Sequence, residues 1–241
     1  MSKKSNSPQV LAIIPARGGS KKIPKKNIKL LAGKPLITYT IEESKKSKYI
    51  SRIILSTDDE KIAIIGKKLG VEVPFLRPSE LAEDHVTDLP VFQHCLNWLR
   101  ENENYIPDII VHLRPTAPLR KNYHIDTGIE LLLKSPGADS VRSVTAVGQH
   151  PLKMWKIENN RLVPFVSEEI SGIKESYNMP RQKLPLAYIQ NGSVDVIWTK
   201  TILEKNSMSG DIIAPFVMEE RESVNIDTEI DFSLSELIMK K

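Results

Sequence analysis

Val10-Leu-Ala-Ile-Ile-Pro-Ala-Arg-Gly-Gly-Ser-Lys-Lys-Ile-Pro-Lys-Lys-Asn27 decides how the rest of the chain is read. Its first six residues form an unbroken apolar run, the pattern of a strand buried on both faces of a sheet. Directly after it come Gly18 and Gly19, which let the backbone approach a ligand closely and expose its N–H groups. Arg17 offers a planar fork for phosphate oxygens, and Ser20 a short donor. Lys21 and Lys26 add point charges on long stems, and Asn27 can hydrogen-bond ribose or phosphate. Together these residues describe a triphosphate cradle. It is neither a Walker A loop nor GxGxxG. The competing reading is a basic glycine turn on the surface, and the position after a buried first strand counts against it.

Outward from this segment the chain alternates between strand-like and helix-like patterns. Strands are expected at 10–15, 52–56, 71–75, 108–113, 140–147 and 194–198. Helices are expected at 35–48, from the caps at 56–59 to Gly70, and at 88–102, 121–134 and 229–239. Short connections between such elements imply right-handed βαβ units and a mainly parallel sheet. Ligands then bind at the carboxyl ends of the strands, here the loops after residues 15, 56, 75 and 113. The expected fold is one α/β domain over residues 1–241. Between 148 and 190 the rhythm breaks into a stretch rich in Pro and scattered aromatics, too long for a plain loop. It is read as an inserted β-rich arm, with Trp155, Phe165 and Tyr177 buried against a partner subunit. The alternative is a loop folded onto its own domain.

Composition sets outer limits. Forty per cent apolar and 27% charged residues describe a globular chain, not a disordered one. The single Cys95 permits neither an internal disulfide nor a thiolate metal cluster. No apolar run is long enough for a membrane helix and the start is not a secretory signal, so a cytoplasmic setting is expected. The charge is uneven. Residues 1–52 hold 13 Lys+Arg against 2 Asp+Glu, and the remainder holds 21 against 28. A polyanionic ligand for the N-terminal part follows. Lys3, Lys4, Lys45, Lys46 and Lys48 are read as solvated surface. Residues 17–26 are not.

PARGGSKKIPKKN resembles the signature of the acylneuraminate cytidylyltransferases, also called CMP-sialic acid synthetases. GKPLI, STDDEKIA, FLRPSELAED, RPTAPLR, HPLKMW, PRQKLP, QNGSVD and NIDTEIDF continue the likeness in family order. The resemblance implies a Rossmann-like fold, mainly parallel and flanked by helices, with an arm that swaps into a homodimer. It implies that CTP and Mg²⁺ activate a nonulosonic acid. Ala16, Arg17, Gly18, Gly19, Ser20, Lys21, Lys26, Asn27, Arg77 and Asp88 would then bind the nucleotide. Main-chain groups of 84–88 would read cytosine. Arg17, Lys21 and Asp227 would carry catalysis, the first two by neutralising the leaving pyrophosphate. The competing role for Arg77 is a surface ion pair with Glu80. The acceptor would meet Arg114, Thr116, Lys153, Arg181, Gln190, Asn191 and Asp195. Asp227 would ligate the metal, with Asn225 standing where many relatives carry a second aspartate. Alternatively, Asp227 caps the helix that follows.

Two further departures fall in the expected sugar pocket. Relatives read QPTSPLR where this chain reads Arg114-Pro-Thr-Ala-Pro-Leu-Arg120, and they often have tyrosine where Asp195 stands. Either the pair adapts the pocket to a modified bacterial acid such as legionaminic or pseudaminic acid, or it forms a structural ion pair. Rival readings of the whole chain are a CMP-KDO synthetase-like enzyme, a basic nucleic-acid-binding domain and a catalytically silent nucleotide binder. The missing aromatic platform and the acidic remainder count against nucleic acid. His112 and Cys95 are expected in the core, and His150 either at the sugar or in a turn.

Overall fold

The computed structural model describes residues 7–240, so Lys3 and Lys4 lie outside the described residues. In chain order the elements are β1 (Val10–Pro15), β2 (Leu30–Leu31), β3 (Lys34–Pro35), α1 (Leu36–Ser44), β4 (Arg52–Ser56), α2 (Glu60–Lys68), α3 (Asp88–Glu103), β5 (Ile109–His112) and α4 (Asn122–Lys134). There follow β6 (Ser140–Ala146), β7 (Trp155–Glu158), β8 (Arg161–Pro164), α5 (Glu168–Ser171), β9 (Tyr188–Trp198), α6 (Thr199–Leu203), β10 (Ile213–Val217) and α7 (Glu229–Met239). Six strands make one sheet in the order β10-β6-β9-β5-β1-β4. Only β9 runs antiparallel to its neighbours, so the sheet is mainly parallel, as expected.

β1 shows why its sequence is apolar throughout. Val10, Ala12 and Ile14 face α1 and α4, beside Ile37, Ile41, Ile125 and Ile129. Leu11 and Ile13 face α3, beside Phe92, Cys95 and Leu99. A strand between two helical layers has no solvent face to make polar. Each such aliphatic side chain contributes roughly 1.5–3 kcal/mol by leaving water. A smaller third cluster joins Ile23, Leu31, Leu36, Ile226 and Phe232, tying the glycine loop to α7.

Three expectations are corrected. Residues 71–75 form no strand but a single parallel bridge, Ile54 to Glu72, because Pro74 removes a ladder donor. The strand expected at 194–198 begins at Tyr188 and bends at a bulge, where Gly192 has φ +66°. The 148–190 segment is less β-rich than expected, carrying one hairpin of four-residue strands among 3₁₀ turns and one helical turn. Phe165 there is exposed, as are Ile157, Leu162, Ile170 and Leu186. Among the described residues no helix is long and apolar enough to cross a membrane.

Candidate active site

The carboxyl ends of β1 and β5 open onto a cleft of about 470 Å³. Its wall brings together Arg17, Ser20, Lys21, Lys26, Asn27, Arg77, Asp88, Arg114, Thr116 and Asp227, all named from the sequence. The glycine loop is held from three directions. The Gly18 N–H donates to Asp58 Oδ1 at 3.0 Å. The buried Asn27 side chain donates to the Arg17 carbonyl at 2.9 Å. Lys26 Nζ reaches the Ile226 carbonyl at 2.8 Å and Asp227 Oδ1 at 3.4 Å, joining the loop to the segment before α7. Gly18 has no room for a side chain, since a Cβ would lie 2.8 Å from Asp59 Oδ2. Gly19 is open, and with Ser20 and Lys21 it borders a shallower cleft formed by residues 82–85. Ala16 lies under the loop in the core.

Asp84 was missed as a side chain. Its carboxylate accepts from Arg17 Nη2 at 2.7 Å and also pairs with Lys21. The Lys21 hydrogen bond, with that from Arg17, holds the Asp84 carboxyl below the ordinary range. The two cations assigned to phosphate therefore already face one shared anion. Nothing but the folded loop could reveal this, because Asp84 is far from both in sequence.

Arg77 is buried rather than paired on the surface with Glu80. Its guanidinium donates to the carbonyls of Ser56, at 2.7 Å, and Leu81, at 3.3 Å. It fixes the end of β4 against the loop that carries Asp84. Arg120, 1% exposed, was likewise missed. It donates to the carbonyls of Arg114 and Ser193 and to Thr40 Oγ1, pinning the turn after β5. Burial pushes its pKa down to about 9.

The expected acceptor residues divide. Arg114 and Thr116 border the cleft, whereas Lys153, Arg181, Gln190, Asn191 and Asp195 do not. Lys153 donates to the Tyr177 carbonyl and Arg181 to that of Val147, so both brace the 148–190 segment. Asn191 is buried and bonded to Ser143 and Ser223. Asp195 is 2% exposed and accepts from Arg114 at 3.0 Å and Arg142 at 3.1 Å. The Arg114–Asp195 pair is thus a structural ion pair, and Asp195 is closed off from the cleft. Arg114 also donates to Asp88 at 2.8 Å. His150 holds a turn, accepting from Leu152 N and contacting the Pro185 carbonyl. Burial lifts the Cys95 thiol to about 12, which rules it out as a nucleophile at neutral pH.

Asp227 does not cap α7. Thr228 and Asp231 form that capping box, leaving Asp227 on the cleft wall, where Asn225 Nδ2 donates to it at 2.9 Å. Asn225 Oδ1 is buried without a hydrogen-bond partner among the described residues. No three His, Cys, Asp or Glu side chains converge among the described residues. Asn225 turns its amide N–H toward Asp227 and its oxygen toward Gly192, so the Asp227 carboxylate alone faces the cleft, which suits a hard cation that takes most of its ligands from phosphate and water.

Residues 11–162 match the family described as Cytidylyltransferase. The chain is 32% identical to a CMP-N,N'-diacetyllegionaminic acid synthase of Legionella pneumophila, over 96% of this chain and 97% of that protein. It is 30% identical to a pseudaminic acid cytidylyltransferase of Campylobacter jejuni, over 95% and 96%. Its fold superposes on a CMP:2-keto-3-deoxy-manno-octonic acid synthetase complexed with CTP, with a TM-score of 0.67 and 14% identity, covering 96% of this chain and 98% of that one.

Proposed function

Because this chain belongs to the cytidylyltransferase family, we propose that its cleft activates a nonulosonic acid sugar with CTP, releasing CMP-sugar and pyrophosphate. The observation that carries the reading is the convergence of Arg17, Ser20, Lys21 and Lys26 on one cleft at the sheet's carboxyl rim. Relatives named for legionaminic and pseudaminic acids support a modified bacterial acid as acceptor. The CMP-KDO alternative shares only the fold, at 14% identity.

The anomeric hydroxyl of the acid attacks the α-phosphorus. A new P–O bond forms, the α–β anhydride bond breaks, pyrophosphate carries away the electron pair, and the hydroxyl proton is released to water. The protein supplies position and charge rather than a covalent nucleophile. Arg17 and Lys21 leave Asp84 for the triphosphate and neutralise the pyrophosphate as it departs. Lys26 stands between the glycine loop and Asp227, and the space beside the Gly19 Cα is open, so a phosphate can approach the backbone there. Asp227 would hold Mg²⁺, which supplies further charge neutralisation on the phosphates when bound, while Asn225 steadies that carboxylate through its amide N–H. The exposed apolar side chains of the 148–190 segment support a homodimer in which a second copy covers them.

The test is pyrophosphate release with CTP and Mg²⁺ against N,N'-diacetyllegionaminic, pseudaminic and N-acetylneuraminic acids, with each other NTP replacing CTP in turn. Release with CTP and at least one acid is expected. No release with any acid overturns the reading.

A further inference from the structure

Among the described residues, the cations on the cleft wall are Arg17, Lys21, Lys22, Lys26, Arg77 and Arg114. All but one are already engaged. Arg17 and Lys21 share Asp84. Lys26 holds the Ile226 carbonyl and Asp227. Arg77 is buried on the carbonyls of Ser56 and Leu81. Arg114 lies between Asp88 and Asp195. Lys22 is the exception. It is exposed, borders the cleft, and has no carboxylate or carbonyl within bonding distance of its ammonium among the described residues.

The backbone beneath this lysine is fixed. Ile23, next in the chain, is fully enclosed with Leu31, Leu36, Ile226 and Phe232. Its carbonyl accepts from the Lys26 N–H at 3.2 Å and closes the turn. Lys22 thus carries a flexible charged stem on a rigid base. It stands on the loop that holds Arg17, Ser20 and Lys21, not on the turn after β5 that holds Arg114 and Thr116. A lysine ammonium is a compact point charge that can follow an oxygen as it moves. A nucleoside triphosphate brings several negative charges to this loop. In the resting cleft, Asp84 and Asp227 cancel much of the positive charge that would meet them. The Lys22 charge is available before any of those pairs opens.

We propose that Lys22 takes the terminal phosphate of the incoming CTP, and that this contact lets Arg17 and Lys21 leave Asp84 for the inner phosphates. The proposal rests on the CTP reading above and deepens it. The same ammonium then holds the outer end of the departing pyrophosphate. Lys22 was given no role from the sequence, because the two adjacent lysines of PARGGSKKIP look alike until the fold pairs one of them with Asp84.

Calorimetric titration with CTP and with CMP, each with Mg²⁺, compares K22M, K22R and K25M with the unmodified protein. Lys25 is an exposed lysine of the same loop that does not border the cleft, so K25M reads the loss of one nearby positive charge. K22M should weaken CTP binding by about three- to fivefold at low salt, the range of an exposed ion pair, and the gap should narrow as salt rises. CMP lacks the outer phosphates, so its affinity should stay within about twofold. K22R should restore the CTP affinity, and K25M should leave it within about twofold. The KM for the acid, read by pyrophosphate release, should not move in K22M. Thermal melting accompanies each variant, and K22Q replaces K22M if the methionine variant does not fold. CTP affinity that is unchanged in K22M, lowered equally for CMP, or lowered equally in K25M overturns the proposal while leaving the activity standing. An acid KM that rises alone overturns it too, and assigns Lys22 to the sugar carboxylate. An unmodified protein that binds no CTP overturns both readings.

Discussion

Asp84 gives the phosphate cradle a defined resting state. Its carboxylate occupies the cations that the triphosphate needs, so binding exchanges one anion for another. Removing each side of this contact should act in opposite directions. Arg17→Ala should lower kcat by about 10²-fold, the size of loss seen when a donor to a developing anion is deleted. Asp84→Asn should tighten CTP binding by about two- to fivefold, the range set by exposed ion pairs, and more so at low salt. Calorimetric titration with CTP reads the second effect and steady-state kinetics the first. Weaker CTP binding by the asparagine variant would show that Asp84 works for the nucleotide rather than against it. Lys21 is more exposed than Arg17, so its own alanine variant should be more salt-sensitive.

Among the elements, the glycine loop and α2 behave as one unit. Asp59 caps α2 by accepting from the N–H groups of Lys61 and Ile62, and Gly18 packs directly against it. Gly18→Ala should displace the cap and the loop together. Stability should fall by about 1 kcal/mol, the usual value of a lost N-cap, and CTP affinity should fall with it. Urea unfolding and CTP titration on the same variant check this, and loss of only one of the two would separate the units. The same junction explains what the sequence made legible. β1 and the glycines adjoin one another in the chain, Asp59 adjoins the helix it caps, and each obeys local rules. β10 was not foreseen, because it sits at the sheet edge with Pro215 inside it and only alternate residues partly covered. The start of β9 was hidden by the bulge at Gly192. The contacts Arg17–Asp84 and Arg142–Asp195 join distant positions, so only the folded sheet brings them together. Asn191 and Asp195 were placed at the acceptor by the family resemblance, whereas the sheet uses their polarity to satisfy its own interior.

At the scale of the whole molecule, the two helical layers enclose imidazoles that the reaction does not use. His112 lies between Phe92 and the ion pairs of Arg114 with Asp88 and Asp195, 1% exposed, with Asp195 at 3.8 Å and Asp88 at 4.0 Å. Burial, helped by the nearby Arg114 charge, outweighs both carboxylates and pushes its pKa down to about 4. Burial also depresses His124 beside Glu222 and His94 beside Arg77. A histidine with a depressed native pKa refuses a proton that the unfolded chain accepts near its ordinary value. The stability it contributes is therefore complete above about pH 6.5 and is lost as pH falls toward the native value. For His112 the window runs from about 6.5 down to about 4, with a slope of at most about 1.4 kcal/mol per pH unit. The urea midpoint of the unmodified protein should drop across this window, and the paired carboxylates of Glu130 and Asp139, lowered from 4.5 and 3.8 to about 2, add their own loss only at its lower end and below. His112→Gln should flatten the upper part of that profile, because glutamine binds no proton in either state. An unchanged slope in the glutamine variant would mean that His112 takes up its proton in the folded protein as readily as in the unfolded chain, and that burial does not hold it neutral.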